Sequence, residues 1–203
     1  METAFNNQKT RNMLSKLRVH QQLALGAACC ERMLPSYEAF VQEVGWGDIA
    51  PLRRALDAVW KACEEKPLSN LELRDLLSQC EMCAPNSEDF DSLYTSLAQD
   101  AAFAICALLD FLFDGDLNRI VSVFQMATDS VDLIVQEREG MDPRDSFRES
   151  KILKHPLMQQ ELVRQRRDIA EANTIEIGDT AARLIFRSRA RSESNLVLEL
   201  KTA

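Results

Sequence analysis

Residues that announce chemistry or β structure are scarce in this sequence. Its 203 residues include only two His, six Gly and six Pro. So few turn-formers exclude a loop-rich all-β chain. No Glu is followed three residues later by His, which removes the inward-facing metal turns of di-iron helical bundles. Gly-x-Gly-x-x-Gly, the P-loop and Gly-x-Ser-x-Gly are all missing, so nothing points to a phosphate cradle or a nucleophile elbow. Cys80 and Cys83 have thiol-pair spacing but lack the second pair that a tetrahedral zinc site needs. The expectation is therefore no metal, no cofactor and no assignable catalytic residue.

Long apolar runs are also lacking. The longest, residues 101–113, is too short to span a bilayer and contains Asp110. The first 18 residues are polar and unlike a secretory signal. These features predict a cytoplasmic protein with no membrane partner, its six cysteines remaining thiols in a reducing compartment.

What the chain does have is charge and helical periodicity. Its 24 Lys+Arg against 32 Asp+Glu leave a net charge of −8, which argues against general nucleic-acid binding. The 46% apolar content argues against disorder, and the length suits one domain. Ile49, Leu52, Leu56, Val59, Trp60 and Cys63 recur at helical spacing, opposite Arg53, Arg54, Asp57, Lys61 and Glu64. Asp48 is placed to cap that helix and Ser69 the next, and another helix starts near Asp116 and can end at Gly140. Residues 92–114 are apolar around most of the helical circumference, as the central helix of a bundle should be. Asp91 fits its N-cap. Upstream, helices over 11–33 and 36–44 are expected to break at Pro35. One short strand is conceivable at 196–200. The fold class is all-α: a single-domain multi-helix bundle around a central apolar helix, with a basic C-terminal helical arm.

That arm comes from uneven charge. Residues 1–140 hold 12 Lys/Arg and 22 Asp/Glu, whereas residues 141–203 hold 12 and 10. Pro156 starts a helix in this segment, and Gly178 either breaks the arm or merely weakens it. The plain reading is a solvated face or an arm packed on the acidic body. The sharper reading makes Arg183, Arg187, Arg189 and Arg191 a docking surface for an acidic partner.

Asp100 and Asp110 lie on nearly one side of the helix over 92–114, and the plain reading is its solvent stripe. The sharper one, since a carboxylate on a mostly apolar helix needs a charged partner, has Asp100 meet Arg32, Arg53 or Arg54. Glu31, Arg32, Tyr37, Arg53, Asp89, Asp91 and Asp100 thus form a candidate polar network, either structural or lining a pocket. The cysteines read as small buried hydrophobes.

Several of these residues fall in strings with a familiar order: Cys30-Glu31-Arg32-Met33 with Pro35 and Tyr37, then Gly45-Trp46-Gly47-Asp48. Arg53-Arg54 with Leu56-Asp57 and Trp60, Asp89-Phe90-Asp91, Asp100-Ala101 and Glu193-Ser194-Asn195 follow. In this the chain resembles the YjaG-like family of small bacterial helical proteins of unknown function. The resemblance implies an all-helical fold and brings no catalytic residues. Its one functional hint is a gene-neighbourhood link to histidine kinases and so to signalling.

Two functions remain in view. The first is a non-catalytic helical module acting through a protein partner, with a homodimer among the assemblies it allows. The second is a small-ligand-binding protein or enzyme whose carboxylates and arginines converge on one pocket.

Overall fold

The computed structural model describes residues 6–64 and 68–193. Every regular element among them is an α-helix: α1 (Asn7–Leu14), α2 (Val19–Val44), α3 (Ile49–Ala62), α4 (Asn70–Glu81), α5 (Leu93–Asp114), α6 (Leu117–Arg138), α7 (Arg148–Lys154), α8 (Pro156–Ala172) and α9 (Thr180–Ser192). The strand conceived at 196–200 lies outside the described residues.

The central helix is α5, and α2, α3, α4 and α6 pack around it. Its length and composition would let it cross a membrane, but most of it is buried inside the bundle. Leu97, Ala101, Ile105, Leu108 and Leu109 are all shielded from solvent. The helices approach closely at Gly26 of α2, where an added Cβ would lie 2.3 Å from Leu108 Cδ2 and 3.3 Å from Ile120 Cδ1. Glycine there lets three helices meet.

Two expectations about α2 are corrected. Pro35 does not break it. The helix runs for 26 residues with Pro35 inside, flanked by fully buried Leu34 and Tyr37 and nearly buried Ser36. An interior proline costs about 3 kcal/mol, and burying several large side chains of one helix outweighs that. The break falls instead at residues 15–18, dividing the single helix expected over 11–33. Gln22 makes the corner: its Nε2 donates to the carbonyls of Leu14 and Leu17 at 2.9 and 3.0 Å. The Leu14 carbonyl also accepts from Leu17 N at 3.0 Å, so the carbonyls at this helix end stay paired where the chain turns.

The caps follow local chemistry. Asp48, Asp116 and Asp179 each accept a first-turn N–H, and Ser69 with Glu72 forms a capping box. For α5 the cap is Ser92, not Asp91; its Oγ accepts from Tyr94 N at 3.1 Å and donates to Glu43 at 2.7 Å. Asp91 stands one residue outside and exposed.

The C-terminal arm is no separate lobe. Helix α8 packs on α6 and α2, and α9 packs on α2. Gly178, at φ +85°, makes the turn between them.

Candidate functional site

Adjacent residues on a helix point about 100° apart, and α2 uses this at Glu31 and Arg32. Glu31 faces α3 and α9; Arg32 faces α8. Both are almost completely buried, at 1% and 3% exposure.

Three donors and a fourth, more distant cation surround the Glu31 carboxylate. Arg53 Nη1 donates to Oε2 at 2.6 Å, and the Trp60 indole N–H to Oε1 at 3.1 Å, both from α3. From α9, Arg187 Nε donates to Oε1 at 2.9 Å, and Arg191 Nε lies 3.7 Å from Oε2. Arg187 also pairs with Asp57 and stacks over the Trp60 ring, 5.6 Å from its centroid. A carboxylate removed from water survives only when its lone pairs are met this fully.

Arg32 anchors the second half. Its Nη1 donates to Asp168 at 2.7 Å, and its Nη2 lies 3.5 Å from Glu161. Asp168, 1% exposed, also receives Arg167 at 3.1 Å and Arg189 at 2.8 Å. Arg189 continues to Glu171. Burial pulls the Arg32 guanidinium down, yet the acidic groups around it, Glu161 and Asp168 among them, hold it above its ordinary value.

The seven residues of the expected network therefore divide. Glu31 and Arg53 meet, whereas Arg32 pairs elsewhere. The Tyr37 hydroxyl donates to the carbonyl of Cys83 at 2.8 Å, over Gly47 at φ +95°. Asp89 and Asp91 are exposed on the loop before α5. Asp100 finds none of the three arginines expected for it: Arg32 goes to Asp168, Arg53 to Glu31 and Arg54 to Gln79. Ser130 Oγ donates to Asp100 instead, at 2.9 Å. Burial raises its carboxyl to about 6, the Ser130 hydrogen bond opposes this and nearby Asp129 adds to it.

Of the four arginines expected to face a partner, Arg183, Arg187 and Arg189 turn toward the body. Arg183 is 3% exposed beside Glu64, at 3.3 Å. Arg191 keeps 55% of its side chain in solvent. The arm packed on the acidic body is the arrangement observed, because seven residues of separation on α8 and four on α9 bring opposite charges to α2.

Sequence reasoning missed Asp168, Glu161, Asp57 and Trp60 as members of this network. A signal existed: Glu161, Gln165 and Asp168 share a stripe with Leu157, Met158 and Leu162 on α8, so a polar group had to enter the core there.

The other reactive groups are occupied structurally. Burial pushes the Cys29 and Cys63 thiols up to about 12 and raises Cys30 as well. Cys83 is raised chiefly by burial; Cys80 is raised by its contact with Cys106 and by burial. His20 Nε2 lies 3.2 Å from the carbonyl of Ile175, and His155 Nδ1 accepts from Leu157 N at the start of α8.

Fold and network together define a class: an all-helical bundle whose last helices are fastened to α2 by buried ion pairs. The family model for a protein of unknown function, DUF416, matches residues 9–197, and the chain belongs to that family. An uncharacterized protein, YjaG of Escherichia coli (strain K12), is 28% identical over 149 residues, 73% of this chain and 74% of that one. An uncharacterized protein of Haemophilus influenzae is 26% identical over 92% of this chain and 94% of its own length. The crystal structure of a DUF416 family protein from Shewanella baltica OS155 superposes with a TM-score of 0.81 at 23% identity, covering 94% of this chain and 95% of that one. That likeness supports the fold.

Proposed function

We propose that this protein is a non-catalytic cytoplasmic module that acts by noncovalent contact with a protein partner through the outer face of α9. The supporting observation is the two-sidedness of that helix. Its inner side is spent on Glu31, Asp57, Asp168 and Glu171. Its outer side leaves Leu184 and Ile185 58% and 68% exposed, with Arg191 beside them. Adjacent exposed aliphatic residues flanked by a cation suit an apolar contact rimmed by acidic groups. Of the sequence-expected docking arginines, Arg191 is the one that fits this surface. The groups that acid–base or thiol chemistry would need are tied up: Glu31 by its donors and the thiols by burial. Cysteines buried as thiols accord with a reducing compartment. An accessory role in histidine-kinase-linked signalling is the setting that the family resemblance offers.

The test is affinity capture of the tagged protein from bacterial lysate at low and moderate salt, beside a Leu184→Glu/Ile185→Glu variant shown to be folded by circular dichroism. A partner held by the parent and lost by the variant supports the reading. Equal capture by both would move the contact off α9. Light scattering of the purified protein separates a homodimer through the same face from a different partner.

A further inference from the structure

Beside Glu31, α3 and α9 line an open, concave cavity of about 420 Å³ that the ion-pair network does not fill. Four cations line it: Lys61 from α3, and Arg183, Arg187 and Arg191 from α9. The spacing of four residues places the three arginines on one side of α9. Among the described residues two carboxylates share the lining, Asp57 and Glu64, and Glu31 lies behind Arg187 and Arg191, so four cations still outnumber three carboxylates. In a chain of net charge −8, a concave site of the opposite sign concentrates anions that the rest of the surface repels.

Arg183 supplies the second observation. It is 3% exposed, and its Nη2 reaches Glu64 and Thr180. Its Nε and Nη1 have no hydrogen-bond partner among the described residues. Buried guanidinium N–H groups normally find acceptors, and leaving them unmet is costly. Arg32, equally buried, has both Nη groups at carboxylates and only its Nε unmet, so Arg183 is the less satisfied of the two. Asp57 and Glu64 offer acceptors for hydroxyl groups, and Trp60 with Leu184 forms the apolar wall.

We infer that this cavity binds a small phosphate monoester that also carries hydroxyl groups, of the size of a sugar phosphate. The phosphate sits among Lys61, Arg183 and Arg191, since clustered guanidinium and ammonium donors match its charge and geometry. The hydroxyls meet Asp57 and Glu64. This site shares Leu184 and Arg191 with the outer face of α9 proposed for the protein contact, but it does not rest on that contact, and its failure would leave that contact untouched.

Trp60 in the wall provides the reporter. In a Trp46→Phe background, Trp60 is the single tryptophan, and its fluorescence is followed at constant ionic strength. The full chain is titrated with glucose 6-phosphate, ribose 5-phosphate, inorganic phosphate and glucose. The expected result is a saturable change with a sugar phosphate, weaker with inorganic phosphate and absent with glucose. Lys61→Gln and Arg191→Gln, both at solvent-reachable positions, should each weaken it by about tenfold. No saturable change with either sugar phosphate up to about 10 mM would overturn the inference. Equal binding of inorganic phosphate and sugar phosphates would overturn the monoester assignment. Unchanged affinity in both variants would place the binding elsewhere.

Discussion

Arg187 Nε lies 2.9 Å from Glu31 Oε1 across 156 residues of sequence. That bond joins the last described helix to the second one inside the protein. Its carboxylate is fully buried, and its guanidinium side chain is 20% exposed. The two partners are therefore unequal, because the carboxylate cannot fall back on water.

Replacing the carboxylate should be the more damaging change. Glu31→Gln leaves Arg53 and Arg187 without their common charge, and breaking a buried pair from one side costs about 3–5 kcal/mol. Chemical denaturation measures the loss. Hydrogen exchange should show α9 amides opening before those of α5. If α9 protection is unchanged in a folded Glu31→Gln protein, the carboxylate is not what fastens the arm.

Arg32 and Asp168 should be coupled energetically, with their 2.7 Å contact almost wholly out of solvent. A double-mutant cycle of Arg32→Met and Asp168→Asn is expected to return about 1–3 kcal/mol of interaction. Additive single effects would show that Arg167 and Arg189 substitute for Arg32 without loss.

Asp100 gives a pH dependence. Its carboxyl is raised from 3.8 to about 6, so the folded state holds this proton more tightly than the unfolded chain does. The contribution to stability is fully present below pH 3.8 and is lost as pH rises to about 6. Asp100→Asn keeps an acceptor for Ser130 and abolishes the loss. It should be more stable than the parent by about 1–2 kcal/mol at pH 8 and no more stable at pH 3.5. A pH-independent difference between the two proteins would exclude Asp100 as the source.

Gly26→Ala tests the meeting of α2, α5 and α6. In an open helix the change would stabilise by about 1 kcal/mol. Here the new methyl would meet Leu108 at 2.3 Å, and overpacking is expected to prevail with a net loss of about 1–2 kcal/mol. A raised melting temperature would mean that Leu108 has room to move aside.

The cysteines should be silent toward a thiol reagent in the native protein. All six are buried, and burial pushes the Cys29 and Cys63 thiols up to about 12. Reaction with a chromogenic disulfide should await denaturation, which then releases six equivalents. Rapid labelling of any one in the folded state would contradict its placement.

Local pattern was enough for much of the fold. The face bearing Leu52, Leu56 and Val59 and the cap at Asp48 specify α3 within its own residues, and the nearly continuous apolar surface of α5 predicts its central position. Pro35 misled because burial along α2 overrides a local propensity, and Ser92 displaced Asp91 because Glu43 from another helix completes the cap. Glu31, Arg32 and Arg53 were legible as charges needing partners. Their partners were not, since Asp168 is 136 residues from Arg32 and nothing in a single sequence pairs them. The spacing of Arg183, Arg187 and Arg191 was visible too, but a stripe of cations reads the same whether it faces solvent or a buried carboxylate.

Synthesis runs from the N-terminus, so Glu31 emerges long before Arg187. Until α9 arrives, Glu31 has Arg53 and Trp60, and Asp168 has Arg32 and Arg167. A chain ending before residue 180 would keep these half-neutralised charges beside an uncovered face of α2, the face that α9 otherwise covers. Such fragments should open readily there and fall to proteases, while the whole chain closes over the same carboxylates. The bundle thereby distinguishes a finished copy of itself from an unfinished one.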